Sequence, residues 1–489
     1  MKLSRRQFLP LASSVVALPA LSRFSWAQTT RPLAERLANY AHRLRYDDLD
    51  AATVEQVKTL VIDTLGCGIA AFDEKPVRIC RAVALAVGDG VSTVIGTNRR
   101  STPDLSSFAN GAAFRCGEMN DVYIPPQVEL GGAHPSDHIA ACLAVAEAER
   151  ATASELIAAI VLAYEINCRL VDAIDISDHR WDQPVLSLPA VALAAGKLMK
   201  LPPDALVQAM NLAINDHIPM GQTRTQTMSD WKGLADAEAG RNAVFAAMLA
   251  RGGLTGPTPI FEGRWGFFQL ISRPADVDVG AFGGRGSEFR IHRVGMKPYP
   301  VLAHAQTSIP AAIALAKEVG ALNRIAAVEI ATTRRGYQQA GSEPEKWTPD
   351  TRETADHSLP YIVARAMFDG DINLRSFDPE KLRDPRLLAF MRKITVKPDP
   401  AFDKFPDAPP VRIAVILHDG GRIAHQVDNM PGFSGMPMTR ADVERKFRSN
   451  VDGRWSPGHT DAALRALWAI DPADDLSSLL GALSVQKTR

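Results

Sequence analysis

The chain has 489 residues, 46% of them hydrophobic, and its 55 basic residues balance 55 acidic ones. A neutral chain gives no electrostatic reason to expect nucleic acid or an anionic membrane surface as a partner, and this length suggests two or three domains. The five cysteines, Cys67, Cys80, Cys116, Cys142 and Cys168, form no Cys-x-x-Cys pair, which argues against a disulfide scaffold or a zinc or redox motif and for small buried residues.

The N-terminal segment reads as an address. Ser4-Arg5-Arg6-Gln7-Phe8-Leu9 carries a twin arginine ahead of an apolar stretch from Leu9 to Leu21, and Ser25-Trp26-Ala27 supplies small residues for cleavage. That layout predicts a Tat signal peptide over residues 1–27, engagement of the Tat translocase during export, and a periplasmic mature protein. Pro10 and Pro19 disfavour the alternative of a stable amphipathic helix. The stretch is also shorter than the ~20 residues of a spanning helix, so no stable membrane anchor is expected.

From Pro32 to about Gly253 the apolar periodicity predicts helices over Val54–Phe72, Pro135–Ala148, Ala153–Ala173, Pro189–Met199, Asp204–Asn215 and Ala235–Ala250. Pro, Gly and Asp punctuate their edges. The texture changes at the connector Gly283, Gly284 and Gly286, after which β-branched runs predict strands over Ile325–Thr333, Ile394–Lys397, Val411–His418 and Ile423–Val427. Asp419-Gly420-Gly421 is the turn joining the last two. Helices are expected between them at Ala303–Val319 and Ser358–Phe368, and again from Ala441. The fold class is therefore mostly α with a smaller α+β domain: an all-helical domain over 28–292 and 432–489, with the α+β part over 293–431 inserted.

Several motifs then fall in one order. They are Asp63-Thr64-Leu65-Gly66-Cys67-Gly68, Ala109-Asn110-Gly111-Ala112-Ala113, His134-Pro135-Ser136 and Ala163-Tyr164-Glu165-Ile166. Lys232 precedes a small-residue helix that runs into Gly252-Gly253-Leu254-Thr255-Gly256-Pro257. Lys297-Pro298-Tyr299-Pro300, Ala355-Asp356-His357-Ser358-Leu359-Pro360-Tyr361 and Met438 to Phe447 complete the set. Across nearly the whole mature chain this order resembles the MmgE/PrpD family, which includes 2-methylcitrate dehydratase, cis-aconitate decarboxylase and iminodisuccinate epimerase. The resemblance implies a lid-like smaller domain, an active site in the cleft, a homodimer, and no metal or organic cofactor. It also implies α-proton abstraction from a small polycarboxylate.

That chemistry needs a base, cations to hold the acid, and stabilisation of the developing enediolate. His134, at the expected N-terminal end of a helix, is a solvated capping residue if taken alone; the resemblance makes it the acid/base. Its spacing from His138 could mimic a metal pair, but no third ligand is evident. Lys232, ordinarily a surface charge, and Lys297, at the domain seam before Pro298, are implied at the cleft as carboxylate-holding or catalytic groups. Tyr361 is implied to donate a hydrogen bond or proton, while Asp356 and His357 read equally as substrate contact or as a helix cap.

One segment departs from the family. After the Asn-Gly pair, Arg115-Cys116-Gly117-Glu118-Met119-Asn120-Asp121-Val122 stands where many members carry a histidine followed by Asp-x-Asp-Asp-Thr. Glu118 and Asp121 are the expected catalytic carboxylates there, and Arg115 is an expected substrate contact. A further family histidine matches only loosely near His179-Arg180-Trp181-Asp182. The changed segment moves specificity, and it motivates the alternative of a catalytically inactive periplasmic organic-acid binding protein. Gly432-Phe433-Ser434-Gly435-Met436 lacks the spacing of a nucleophile elbow, Gly283–Gly286 lacks that of a dinucleotide loop, and no P-loop is present.

Overall fold

The computed structural model describes residues 31–125, 132–176, 180–284, 286–405, 407–470, 476–481 and 483. The expected signal peptide and His179 lie outside the described residues. No helix among those described is long and apolar enough to cross a membrane.

Helices dominate the first part: α1 (Ala51–Ala70), α2 (Pro103–Cys116), α3 (Ile139–Ala148), α4 (Ala153–Ala173), α5 (Ser187–Leu198), α6 (Pro203–Asn215) and α7 (Ala235–Arg251). Thr152 and Glu155 form a capping box at the start of α4. The last of these helices packs against α2, α5 and α6, which its buried Ala239, Gly240, Ala243 and Ala247 allow. Close approach also explains Gly68 on α1, where a Cβ would stand 2.5 Å from the Phe114 ring of α2.

After Met296 the chain builds a second core. Its four-stranded sheet runs in the order Ile394–Pro398 (β4), Ile325–Thr332 (β3), Val411–Leu417 (β5) and Arg422–Val427 (β6). The two-residue pair β1 (Asp121–Val122) and β2 (Gly295–Met296) lies outside this sheet. β4 runs parallel to β3, and the other pairs are antiparallel. Val328, Ile330, Ile413 and Val415 bury one face with α8 (Ser308–Val319) and α10 (Leu359–Asp369), whereas Glu329 and Arg422 form an ion pair on the other. The short helix α9 (Arg334–Ala340) follows β3 directly.

The chain then returns to the first core through α11 (Arg440–Val451), which packs on α1. Phe447 sits over Gly66, whose missing Cβ would otherwise stand 2.9 Å from the ring. Burial of such a ring contributes about 1.5–3 kcal/mol. Val443, Phe447 and Val451 join the same hydrophobic cluster as Leu33 through Met296, while Val301 through Leu417 supply the second. The predicted helices and strands are present, with shifts of up to three residues at most boundaries. Larger differences are the starts at Pro135 and Ala303, which form separate 3-10 turns. Proline at the first position removes a donor in the former.

Candidate active site

α2 ends at Cys116, and Gly117 and Glu118 turn the chain sharply, Glu118 with φ +52°. A side chain in that left-handed region costs about 1–2 kcal/mol. The turn folds the Glu118 carboxylate back onto Arg115, in the last turn of the same helix, where Oε2 accepts from Nη1. Two lysines from distant segments meet the same carboxylate. Lys232, in the 3-10 turn ahead of α7, donates to Oε2, and Lys297 Nζ donates to Oε1 at 2.7 Å. Lys297 is delivered by register: β1 pairs with β2, Asp121 opposite Met296, so the next residue lies beside the Glu118 turn. Lys446 of α11 fastens the turn from below, bonding the Met119 carbonyl and the Asp63 carboxylate at 2.7 Å each.

All four groups are buried. Burial alone would raise the Glu118 pKa, but Arg115, Lys232 and Lys297 outweigh it and hold the carboxyl well below its usual range. Burial opposes the Arg115 charge, yet Glu118, Asp137 and Asp236 raise its pKa. Burial lowers Lys232 and brings Lys297 down to about 8, Glu118 acting against both shifts.

His134 stands above this cluster, its Nε2 4.0 Å from Glu118 Oε1. Its Nδ1 lies 2.6 Å from the Asp121 carbonyl. A carbonyl only accepts, so Nδ1 carries the hydrogen and Nε2 keeps its lone pair. Burial, followed by Arg115 and Lys297, lowers the imidazole pKa well below its ordinary value. The imidazole is therefore neutral, with its lone pair on Nε2. From the second core, His357 Nδ1 contacts the Asp356 carboxylate. Burial raises Asp356 to about 6, and burial with Lys232 lowers His357 well below its ordinary value. Ser358, whose Oγ accepts from the Tyr361 amide at 3.1 Å, caps α10, so Asp356 and His357 are not its cap.

A cavity of about 530 Å³ opens between the two cores. Its wall includes Arg115, Glu118, His134, His357, Arg224 and Arg335. The two lysines stand behind Glu118 instead of facing the open space, which corrects the expectation that they meet substrate directly. Asp121 is likewise turned away: its carboxylate accepts from the Ser136 amide and hydroxyl (3.0 and 2.6 Å) and from the Tyr164 hydroxyl (2.8 Å). It holds the turn that carries His134 and is a positioning residue. Tyr361 is the clearest correction. Its hydroxyl donates to the Ser376 carbonyl at 2.5 Å and its ring packs near Phe377, inside the second core and off the cavity wall. His138 is buried edge-on to Tyr164, with its pKa lowered to about 3 by burial. Among the described residues no group of three or more His, Cys, Asp or Glu side chains is arranged to hold a metal ion. The five cysteines are buried and unpaired.

Sequence reasoning passed over Arg224 and Arg335. Arg224 bonds Asp182 at 2.9 Å and Asp236 at 3.2 Å, a pairing of three separate segments that no local spacing announces.

Two histidines with lowered pKa values thus face one cavity walled by arginines. Family models name the protein's class: the MmgE/PrpD N-terminal domain matches residues 35–280 and the C-terminal domain residues 299–470. The chain belongs to the MmgE/PrpD family. Similar proteins include a cis-aconitate decarboxylase-like protein of Aspergillus oryzae, 24% identical over 475 residues, covering 92% of this chain and 96% of the relative. The 2-methylcitrate dehydratase of Cupriavidus necator is 26% identical, covering 86% of this chain and 90% of its own. The cis-aconitate decarboxylase of Mus musculus is 23% identical, covering 92% and 93%.

The geometry fixes the pH profile. Asp356 must be ionised to hold the His357 Nδ1–H, and Lys297 must be protonated to hold Glu118. Activity as kcat/KM is expected to fall below about pH 6, as Asp356 gains its proton, and above about pH 8, as Lys297 loses one. Asp356→Asn should flatten the acid limb; an acid limb unaltered in that variant would contradict the assignment.

Proposed function

We propose that the protein is a lyase or isomerase that removes the proton α to a carboxylate of a small polycarboxylate. The carrying observation is the neutral His134, with Nε2 free, beside a carboxylate-and-cation cluster on the cavity wall. His134 takes the proton. Arg115, with the two lysines behind Glu118, stabilises the charge that develops on the enediolate. His357 is the second proton-transfer group, because a bound anion raises the pKa of a neighbouring imidazole. Loss of hydroxide follows from that carbanion-like state; loss of carbon dioxide instead generates a similar state by itself, which then takes a proton from a protonated histidine; return of the proton to the opposite face gives inversion. The names of the relatives, dehydratases and decarboxylases, favour the first two. The reaction as proposed uses side chains alone, without metal or organic cofactor.

The test is proton NMR in deuterated water on a panel including cis-aconitate, 2-methylcitrate, citrate and malate. Enzyme-dependent exchange or product formation is expected, and Lys232→Ala should lower it by roughly tenfold or more with the fold intact. Full activity in that variant removes Lys232 from the chemistry. No reaction with any acid, alongside melting-temperature shifts, would favour the inactive organic-acid binding protein instead.

Export and assembly belong to the same proposal. The twin-arginine segment at Ser4–Leu9 supports periplasmic delivery, and family membership supports a homodimer. A periplasmic product beginning near Gln28 with twice the chain mass in solution is expected; a cytoplasmic monomer would contradict both.

A further inference from the structure

Inside the site every cation of the inner wall already has a carboxylate partner. Arg115, Lys232, Lys297 and Arg224 are the cations of the inner wall, and Glu118, Asp356, Asp236 and Asp182 are their carboxylates. Asp137 adds a further carboxylate to that wall, 3.5 Å from Arg115 Nε. The chain's own Glu118 thus occupies the cradle in which three cations could have received a substrate carboxylate. A polycarboxylate needs another cation.

Two arginines of the wall remain, Arg180, which is exposed, and Arg335, which is half-buried. Arg335 lies on α9 and lines the cavity from the side of the second core. Among the described residues it makes no hydrogen bond or ion pair. Burial lowers its pKa, with Asp175 the one opposing charge. An arginine so desolvated and so free is a standing site for a carboxylate, which its planar fork can take with two hydrogen bonds.

The helix that carries it is built to be still. Thr333 caps α9 by accepting from the Gly336 amide at 2.9 Å, and its hydroxyl also meets His304 Nδ1 at 2.9 Å. Asp403 accepts from the Arg334 amide at 2.7 Å. Arg335, Gln338 and Gln339, spaced three and four apart, all face the cavity. Glu343, the nearby acid on the same wall, is occupied by the Gln226 amide at 3.0 Å and by Lys346 at 3.6 Å.

We propose that Arg335, with the Gln338 and Gln339 amides beside it, forms a second carboxylate subsite that binds the end of the substrate remote from His134. The substrate class is an acid with at least one carboxylate beyond the reacting one, and the subsite determines specificity and takes no part in proton transfer. This inference rests on the reaction proposed above, and the experiment separates the two.

Saturation kinetics of the wild type, Arg335→Ala and Arg335→Lys would be measured on the fastest acid of the panel and on its analogue with the remote carboxylate amidated. KM is expected to rise about tenfold or more in Arg335→Ala and to recover in part in Arg335→Lys, while kcat changes by less than about threefold. The amide should be equally poor for all three proteins. An unchanged KM in Arg335→Ala would overturn the subsite while the reaction stands. If the wild type turns over no acid, the reaction fails and the subsite is read from melting temperatures with cis-aconitate and citrate. A rise lost in Arg335→Ala supports it; an equal rise in both proteins, or none in the wild type, overturns it.

Discussion

One buried carboxylate organises this protein. Glu118 gathers Arg115 from its own turn, and Lys232 and Lys297 from segments 114 and 179 residues further along the chain. A buried carboxylate of this kind is tolerable only because it is fully paired, and any one of the cations would be costly without it. The left-handed turn at Glu118, the capped turn at Asp121 and the short β1–β2 pair all exist where they do because these charges must meet. The remote α11 belongs to the same construction, since Lys446 holds the Met119 carbonyl beneath the turn.

From that node the histidines acquire their state. His134 is neutral because it is buried and because Arg115 and Lys297 oppose an imidazolium. The carbonyl of Asp121 then decides the tautomer. The turn at Pro135–His138 is a short 3-10 segment, so burial with the nearby cations, and not a helix N-terminus, produces the shift. His357, held by Asp356 on the opposite wall, is set in the same way from the second core. The two cores thus each contribute one histidine to the cavity wall.

Much of the fold was legible because periodicity survives in the chain. α4 coincides with its predicted span, and β3, β5 and β6 read as β-branched runs around a Gly turn with φ +86° at Gly420. α9 was not legible, being seven residues with four polar side chains and no apolar stripe, so Arg335 went unnoticed. The site was legible in identity and less so in orientation. His134, Lys232, Lys297, Arg115 and Glu118 do come together, but only the three-dimensional packing shows that Glu118 screens the lysines from the cavity. Tyr361 illustrates the opposite failure. Its position at the start of α10 matches the family, yet its ring turns into the core to bond Ser376, a contact fifteen residues away that no motif encodes.

The most direct test of this account is nitrogen-15 NMR of the histidine side chains between pH 5 and 8, with His134 assigned by loss of its signals in His134→Gln. A neutral ring with the hydrogen on Nδ1 throughout that range is the result expected from burial beside the Glu118 cluster. An imidazolium titrating near the ordinary histidine value of about 6.5, or a hydrogen on Nε2, would contradict it and with it the assignment of His134 as the base.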